Sequence, residues 1–471
     1  MPCPVLTVAQ MREWEAATWA AGQTEEAVIR QAGQAVARKA ETLTQPGDRI
    51  LILAGKGHNG DDAAVAGEAI SGREARVVRV TNPEEALRDL AEKLHPQPAL
   101  IVDGLFGIGL NRALASAWTQ LIQRLNQTGV SILAVDVPSG LNADTGLPME
   151  EAIRATHTLT LGAIKDGLLK STAWPYVGRL DVATDIGLVE RPFATELVWT
   201  MPRDFTGWPP PRPVAAHKGS FGHLVIVAGS LGFHGAAVLA ARGAQRAQPG
   251  LITLLTAPQV FEPVAAQLQA VMVRPWATSL PVPETVTAFL VGPGLAADDV
   301  PESVKEFVAR TWRQAAVPVV ADASALEWLP KGPVPADAAR VITPHPGEAG
   351  RLLARPSASV QGDRPRALRE VSRLWGNCVV ALKGHQTLIG REGGTLFVNG
   401  SGNPHLAQGG SGDLLAGFLG GLLAQPALQA DPLRAVRYAV WQHGAAADVL
   451  QRTRTNWTIE ELAGALGSVR G

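Results

Sequence analysis

Short apolar runs rich in Val, Ile and Leu recur along this chain, each followed by a glycine or polar turn and then a helical pattern. They are Arg49–Ala54, Ala75–Val80, Ala99–Val102, Ser131–Val135, Leu224–Ala228, Leu251–Leu255, Phe289–Val291, Val317–Ala321 and Val379–Leu382. Continuously apolar strands between helices belong to parallel sheets covered on both faces. The pattern resets at 201–213, MPRDFTGWPPPRP, where three consecutive prolines cannot continue a helix or a central strand. The sequence therefore predicts an α/β protein of two domains: 1–205, a proline-rich linker at 206–213, and 214–471.

Bulk composition narrows the partners. Hydrophobic content of 46% is ample for two cores, and Lys+Arg 42 against Asp+Glu 43 leaves a net charge of -1. No basic run stands out, so no nucleic-acid footprint is expected. Cys3 and Cys378 are the only cysteines. They cannot build a disulfide framework or a zinc site, which points to a reducing, cytoplasmic setting. The N-terminus, MPCPVLTVAQMREWEAAT, has no apolar core and no leading basic cluster, so it does not read as a signal peptide. Leu414–Ala424, the longest apolar run, is broken by glycines and too short to cross roughly 30 Å of hydrocarbon. No membrane partner is expected.

The chemistry concentrates at strand ends. In 407–424, AQGGSGDLLAGFLGGLLA, three glycines lead into a buried helix. Free N–H groups at such a helix start attract phosphate. Asp413 falls in the first turn, beside that anion, as a base or metal contact or as a simple helix cap. In the N-terminal half, strand 49–54 runs into Gly55-Lys56-Gly57-His58-Asn59-Gly60-Asp61-Asp62. Gly55, Gly57 and Gly60 match the dinucleotide fingerprint, but a nicotinamide dehydrogenase also needs an acidic residue ending the next strand. That strand ends in Thr81-Asn82-Pro83, which disfavours it. Two further strand ends carry Asp103-Gly104 and Asp136-Val137-Pro138-Ser139-Gly140. Carboxyl ends of parallel strands form the ligand crevice. Asn59, Asp103 and Ser139 could therefore gather oxygens around a hard cation, and Asp136 could serve as acid or base. Turns and caps are the alternative use of such residues.

GKGHNGDD, DGLFGIGL, VDVPSG, Lys165-Asp166-Gly167-Leu168 and Asp185-Ile186-Gly187-Leu188 together resemble the NAD(P)H-hydrate epimerase domain. The resemblance implies a Rossmann-like three-layer parallel sheet. It implies that His58, Asn59, Gly60, Asp61 and Asp62, with Gly107, Ile108, Gly109, Leu110, Asn111, Arg112 and Ala113, embrace a hydrated dinucleotide. It further implies that Asn59, Asp103 and Ser139 bind K+ and that Asp136 contacts the reacting ring. His58, Asp61 and Ala63 depart from the usual N-N-G-G-D-G, and Asp61 is expected to narrow the loop and repel phosphate.

HKGSFG and GSLGFHGA (217–222 and 229–236), VGPGL (291–295), TPHPGE (343–348), LKGHQT (382–387) and the 409–413 loop resemble the ADP- or ATP-dependent NAD(P)H-hydrate dehydratases, which are ribokinase-like α/β/α proteins. By this resemblance Lys383, Gly384, His385, Gln386, Thr387 and Gly412 hold ADP or ATP with Mg2+. Ala236, Gly294, His345 and Asp413 line the substrate site, with Asp413 catalytic. Phe233, Ser324, His405 and Gln408 depart from the usual pattern. The implied substrates are the hydrates NADHX and NADPHX, and a homo-oligomer is expected. A ribokinase-like small-molecule kinase with a non-catalytic, dinucleotide-binding N-terminal domain is the alternative.

Overall fold

Each of the nine apolar runs from Arg49–Ala54 to Val379–Leu382 is or overlaps a strand in the computed structural model, which describes residues 2–277, 280 and 282–471. The chain divides into two units, Cys3–Leu197 and Val198–Gly471. In the first unit the strands are β1 (Cys3–Leu6), β2 (Arg49–Ala54), β3 (Glu74–Arg79), β4 (Leu100–Gly104), β5 (Ser131–Val135), β6 (His157–Leu161), β7 (Ile164–Lys165) and β8 (Arg179–Ala183). Six of them form a parallel sheet in the order β3-β2-β4-β5-β6-β8. β1 pairs with β7, also in parallel.

The continuous apolar runs are explained by two covered faces. On one, Ile50, Ile52 and Val102 pack with Val36, Ala40, Ala63 and Ala66 of helices Glu25–Thr42 and His58–Ala69. On the other, Leu51, Leu53 and Ile101 pack with Leu90, Leu121, Ile122 and Leu125. Each buried Val, Leu or Ile among them contributes about 1.5–3 kcal/mol on burial. Strands β6 and β8 do not stand out as apolar runs. In β6, HTLTL, the hydroxyl of buried Thr158 is satisfied by the Val177 carbonyl at 2.7 Å.

In the second unit the strands are β9 (Leu197–Trp199, at the changeover), β10 (His223–Val227), β11 (Leu251–Thr256), β12 (Met272–Pro275), β13 (Ala288–Val291), β14 (Val319–Ala321), β15 (Arg340–Ile342), β16 (Val379–Leu382), β17 (Thr387–Gly390) and β18 (Leu396–Asn399). The order β12-β11-β10-β13-β14-β15-β16 is parallel throughout. β17 and β18 add an antiparallel edge. Helix Ser411–Leu423 is buried from Leu414 to Leu423 and lies against helix His234–Ala247. A Cβ on Gly417 would stand 1.9 Å from the Ala240 carbonyl oxygen, so only glycine permits this approach.

The changeover at 197/198 lies upstream of the expected 205. Phe205 is buried against Tyr438 and Trp441, with ring centroids 5.3 and 5.1 Å away. Asp204 pairs with Arg437 at 2.5 Å. Within 206–213, Trp208 packs on Tyr438 and Arg212 covers the Phe221 ring, so this stretch lies along the second unit. No helix among the described residues is long and apolar enough to cross a membrane.

Candidate active sites

Strands β2, β4 and β5 deliver their carboxyl ends to one cavity of about 920 Å³ in the first unit. His58, Asn59, Asp62, the segment Gly107–Ala113 and Asp136 all line it. Gly60 and Asp61 do not. The helix begins at His58, so 58–62 is helical rather than loop, and its first turns point these two residues elsewhere. A Cβ on Gly60 would stand 2.1 Å from the Gly55 carbonyl oxygen, so this glycine serves the close return of the chain onto its strand. Asp61 faces Arg79 at the end of β3, 2.9 Å away, and its charge is met there.

Asn59, Asp103 and Ser139 converge around Phe106. The Ser139 hydroxyl donates to Asp103 Oδ1 at 2.6 Å and the Ser139 amide to Oδ2 at 2.9 Å. The Asn59 side-chain amide donates to the Phe106 carbonyl at 2.9 Å, and the Phe106 amide donates to the Ser139 hydroxyl at 2.8 Å. Asn59 Oδ1 is buried and has no hydrogen-bond partner. Burial raises the Asp103 carboxyl to about 6, against the bonds from Ser139 and Leu105. An orphaned oxygen beside a buried carboxylate suits a hard cation.

Asp136 sits in the left-handed region at φ 64, directly after β5. Its Oδ1 accepts from the Leu161 amide at 2.9 Å and the Thr160 hydroxyl at 3.1 Å, and it is ion-paired with the Lys165 ammonium. Lys165 is only 1% exposed and also donates to the Leu161 carbonyl at 2.7 Å. The pair lies on the cavity wall.

In the second unit, Asp322, His345 and Lys383 follow the ends of β14, β15 and β16, three neighbouring strands. Lys383 Nζ lies 2.7 Å from Asp322 Oδ1. A Cβ on Gly412 would stand 3.3 Å from that ammonium and 3.8 Å from Asp322 Oδ2, so the glycine loop and the lysine share one small space. Gly410, at φ 92, caps the helix that starts at Ser411 and carries Asp413 in its first turn. Burial raises the Asp413 carboxyl to about 6, helped by Asp322 and Glu348 and opposed by Lys383. Burial works against the Lys383 charge, but Asp322, Glu348 and Asp413 outweigh it and hold the ammonium above its ordinary range.

Gly294 and Ala236 meet directly: a Cβ on Gly294 would stand 2.8 Å from Ala236 Cβ. His345 is tied locally, because its Nδ1 accepts from the Gly347 and Glu348 amides at 3.0 and 3.3 Å and so caps its own helix. In the 383–387 turn, Thr387 donates to the Gly384 carbonyl at 3.1 Å, and Gln386 is at φ 55 with a buried Oε1 that has no partner. His385 lends its carbonyl to Arg364 at 2.6 Å.

The family profile described as NAD(P)H-hydrate dehydratase matches residues 224–465, and that of the YjeF-related protein N-terminus matches 25–96 and 81–167. A bifunctional NAD(P)H-hydrate repair enzyme of Gloeobacter violaceus is 35% identical, over 99% of this chain and 97% of its own. The chain belongs to the bifunctional NAD(P)H-hydrate repair enzymes. The repair enzyme of Escherichia coli is 32% identical, over 89% of this chain and 84% of its own. The ADP/ATP-dependent NAD(P)H-hydrate dehydratase of Bacillus subtilis, crystallised with ATP/Mg2+, matches with a TM-score of 0.51 at 32% identity, over 57% of this chain and 95% of its own.

The sequence reading gave three residues of this repair-enzyme chain no role. Lys165 stands in the motif Lys165-Asp166-Gly167-Leu168, which carries the epimerase resemblance without giving the lysine a task; its place in the apolar stretch LGAIKDGLL, where a buried cation needs a partner, is the signal for one. Asp322 sits in Asp322-Ala323-Ser324, and its local sequence does not show its partner Lys383. Arg364 is buried beneath the 382–385 turn and donates to the Leu382 carbonyl at 3.0 Å. Nothing in its local sequence marks it.

Proposed function

We propose that the second unit restores the S epimer of hydrated NADH or NADPH while converting ADP to AMP and phosphate, and that the first unit interconverts the R and S epimers. Hydroxide is a poor leaving group and phosphate a good one. Asp413 takes the proton of the C6 hydroxyl as its oxygen attacks the terminal phosphoryl group. Lys383 and the free amides of the helix start stabilise the charge that develops there. Phosphate then departs as the ring nitrogen supplies electrons, and loss of a proton from the ring restores the reduced nicotinamide. A Mg2+ ion accompanying the nucleotide would neutralise phosphate charge, with Asp413 the nearest carboxylate of the loop. Lys383, Gly384, His385, Gln386, Thr387 and Gly412 hold the nucleotide, and Ala236, Gly294 and His345 border the hydrate.

In the first unit, Asp136 meets the reacting ring, and the segments 58–62 and 107–113 hold the dinucleotide. Asn59, Asp103 and Ser139 would hold K+, which supplies positive charge beside the pocket. One site accepting a single epimer explains why both activities share a chain.

The observation that carries this reading is the meeting of Lys383, Gly412 and Asp413 at a helix start, in a chain of this family. Full-length protein, incubated with an epimer mixture of NADH hydrate, should restore nicotinamide absorbance with ADP present and release phosphate. Without ADP no absorbance should return. A stable phosphate ester in place of free phosphate would make the second unit a small-molecule kinase.

A further inference from the structure

Around Asp136 the cavity wall carries two more carboxyls, Glu15 and Asp62. Asp62 is 7% exposed, and its carboxyl makes no hydrogen bond to another described residue. Lys165, the cation in that wall that is ion-paired with Asp136, is also committed to Thr160 and Leu161. The charged groups around Asp62 are Asp136, Asp61 and Glu15, with Lys165 opposing them. Helix Glu25–Thr42 packs against the helix of Asp62 and adds Glu25 to the lining. Arg12 and His58 act on the neighbouring Glu15. A buried carboxyl in such a place lacks what it needs to hold a negative charge.

Resting on the epimerase reading of the first unit, we infer that Asp62 is the general acid of epimerisation and Asp136 its fixed anionic partner. Burial, then Asp136 and Asp61, push the Asp62 carboxyl up to about 8, against the pull of Lys165. It therefore carries a proton at neutral pH, while Asp136 stays ion-paired. Two carboxyls set apart by their surroundings divide acid and anion roles between them.

The chemistry balances. C6 of the hydrate bears a hydroxyl and is bonded to the ring nitrogen. Asp62 gives its proton to that hydroxyl. The C6–O bond breaks and its electron pair leaves with the oxygen as water. The nitrogen lone pair forms a C6=N double bond, and the Asp136 carboxylate stabilises the resulting cation. Water then adds to either face of C6, the double-bond pair returns to nitrogen, and the excess proton of the added water returns to Asp62. The hydrate emerges with the same formula and either configuration.

The test uses the full chain without ADP, R-hydrate of NADH as substrate, and water enriched in oxygen-18. Epimer ratio is followed by chromatography and isotope by mass spectrometry, both corrected for the spontaneous reaction. Wild type should epimerise with one oxygen-18 gained per conversion, and its rate should fall as pH rises through about 8. Asp62→Asn should lose roughly 10²–10⁴-fold and the alkaline limb with it. Asp62→Glu should regain activity, and matched circular-dichroism melts exclude a folding defect. An Asp62→Asn rate within tenfold of wild type, an unmoved alkaline limb, or epimerised product free of oxygen-18 would overturn the inference. Should Asp62→Asn fail to fold, the same limb and isotope criteria decide on Asp62→Glu and wild type. Absence of any wild-type epimerisation above background would instead remove the epimerase reading, and the inference with it.

Discussion

Asp322 and Lys383 follow strands separated by one intervening strand, yet their charged atoms meet at 2.7 Å beside the backbone of Gly412. Asp322 is 1% exposed. The pair fixes the ammonium next to the loop that opens helix Ser411–Leu423, and it sets the field felt by Asp413. A flexible lysine becomes a positioned charge because a buried carboxylate anchors it.

The dehydration rate should therefore track Asp413. Its carboxyl is raised to about 6, chiefly by burial and then by Asp322 and Glu348. A base must be unprotonated, so turnover should climb as pH rises through about 6 and level off above. Asp322→Asn removes one of the anions that hold the proton on Asp413, so the midpoint should move to lower pH. Turnover should fall as well, because Lys383 loses its anchor. A pH profile of ADP-dependent absorbance recovery in both proteins checks this, and an unmoved midpoint would contradict it.

Asp413→Asn should separate binding from chemistry. The asparagine keeps the shape of the first helical turn and the amides that face phosphate. ADP affinity measured by calorimetry should stay near wild type, while turnover drops by roughly 10²–10⁴-fold. Turnover within tenfold of wild type would exclude Asp413 as the base.

How much of this was legible beforehand depended on whether a residue's task is local. Strand 49–54, the parallel sheets, the helix after Gly410 with Asp413 in its first turn, and the strand-end residues Asp103 and Asp136 follow from apolar runs and glycine turns, which are local signals. The antiparallel edge β17–β18 and the Thr-rich β6 do not, since pairing and side-chain hydroxyl bonds compensate for weak patterning. Lys165, Asp322 and Arg364 act through partners 29, 61 and 18 residues away, and no window of sequence contains both members. Arg79, the ion-pair partner of Asp61, likewise lies on β3 and outside the glycine loop, so the loop sequence does not show it.

The cation reading of the first unit has its own test. Asn59 Oδ1 is the buried oxygen left without a partner, beside Asp103 and Ser139. With K+ in place of tetramethylammonium, wild-type epimerisation should accelerate and the thermal midpoint should rise, since a bound ion stabilises the folded state. Asn59→Ala and Asp103→Asn should lose both responses. Equal K+ responses in wild type and variants would place the ion elsewhere or remove it.

The changeover at 197/198 makes the last prediction. A fragment cut at the triple proline, 212–471, loses Asp204, Phe205 and Trp208, all of which lie on helix Pro432–Thr453 through Arg437, Tyr438 and Trp441. Loss of a buried phenylalanine alone costs about 3–5 kcal/mol. For a domain of this size that corresponds to a midpoint lower by roughly 10 °C. The fragment 198–471 retains these contacts and should melt near the full chain's own transition. It should dehydrate the S epimer with ADP. Its use of the R epimer should fall to the spontaneous rate of interconversion, until fragment 1–197 is added. Scanning calorimetry of the two C-terminal fragments, and absorbance recovery on mixing, read out both halves of the claim. Equal melting of the 198 and 212 fragments would show that residues 198–211 add nothing to the fold. Two folded fragments that fail to rescue R-epimer use on mixing would show that the reactions are not confined to separate units.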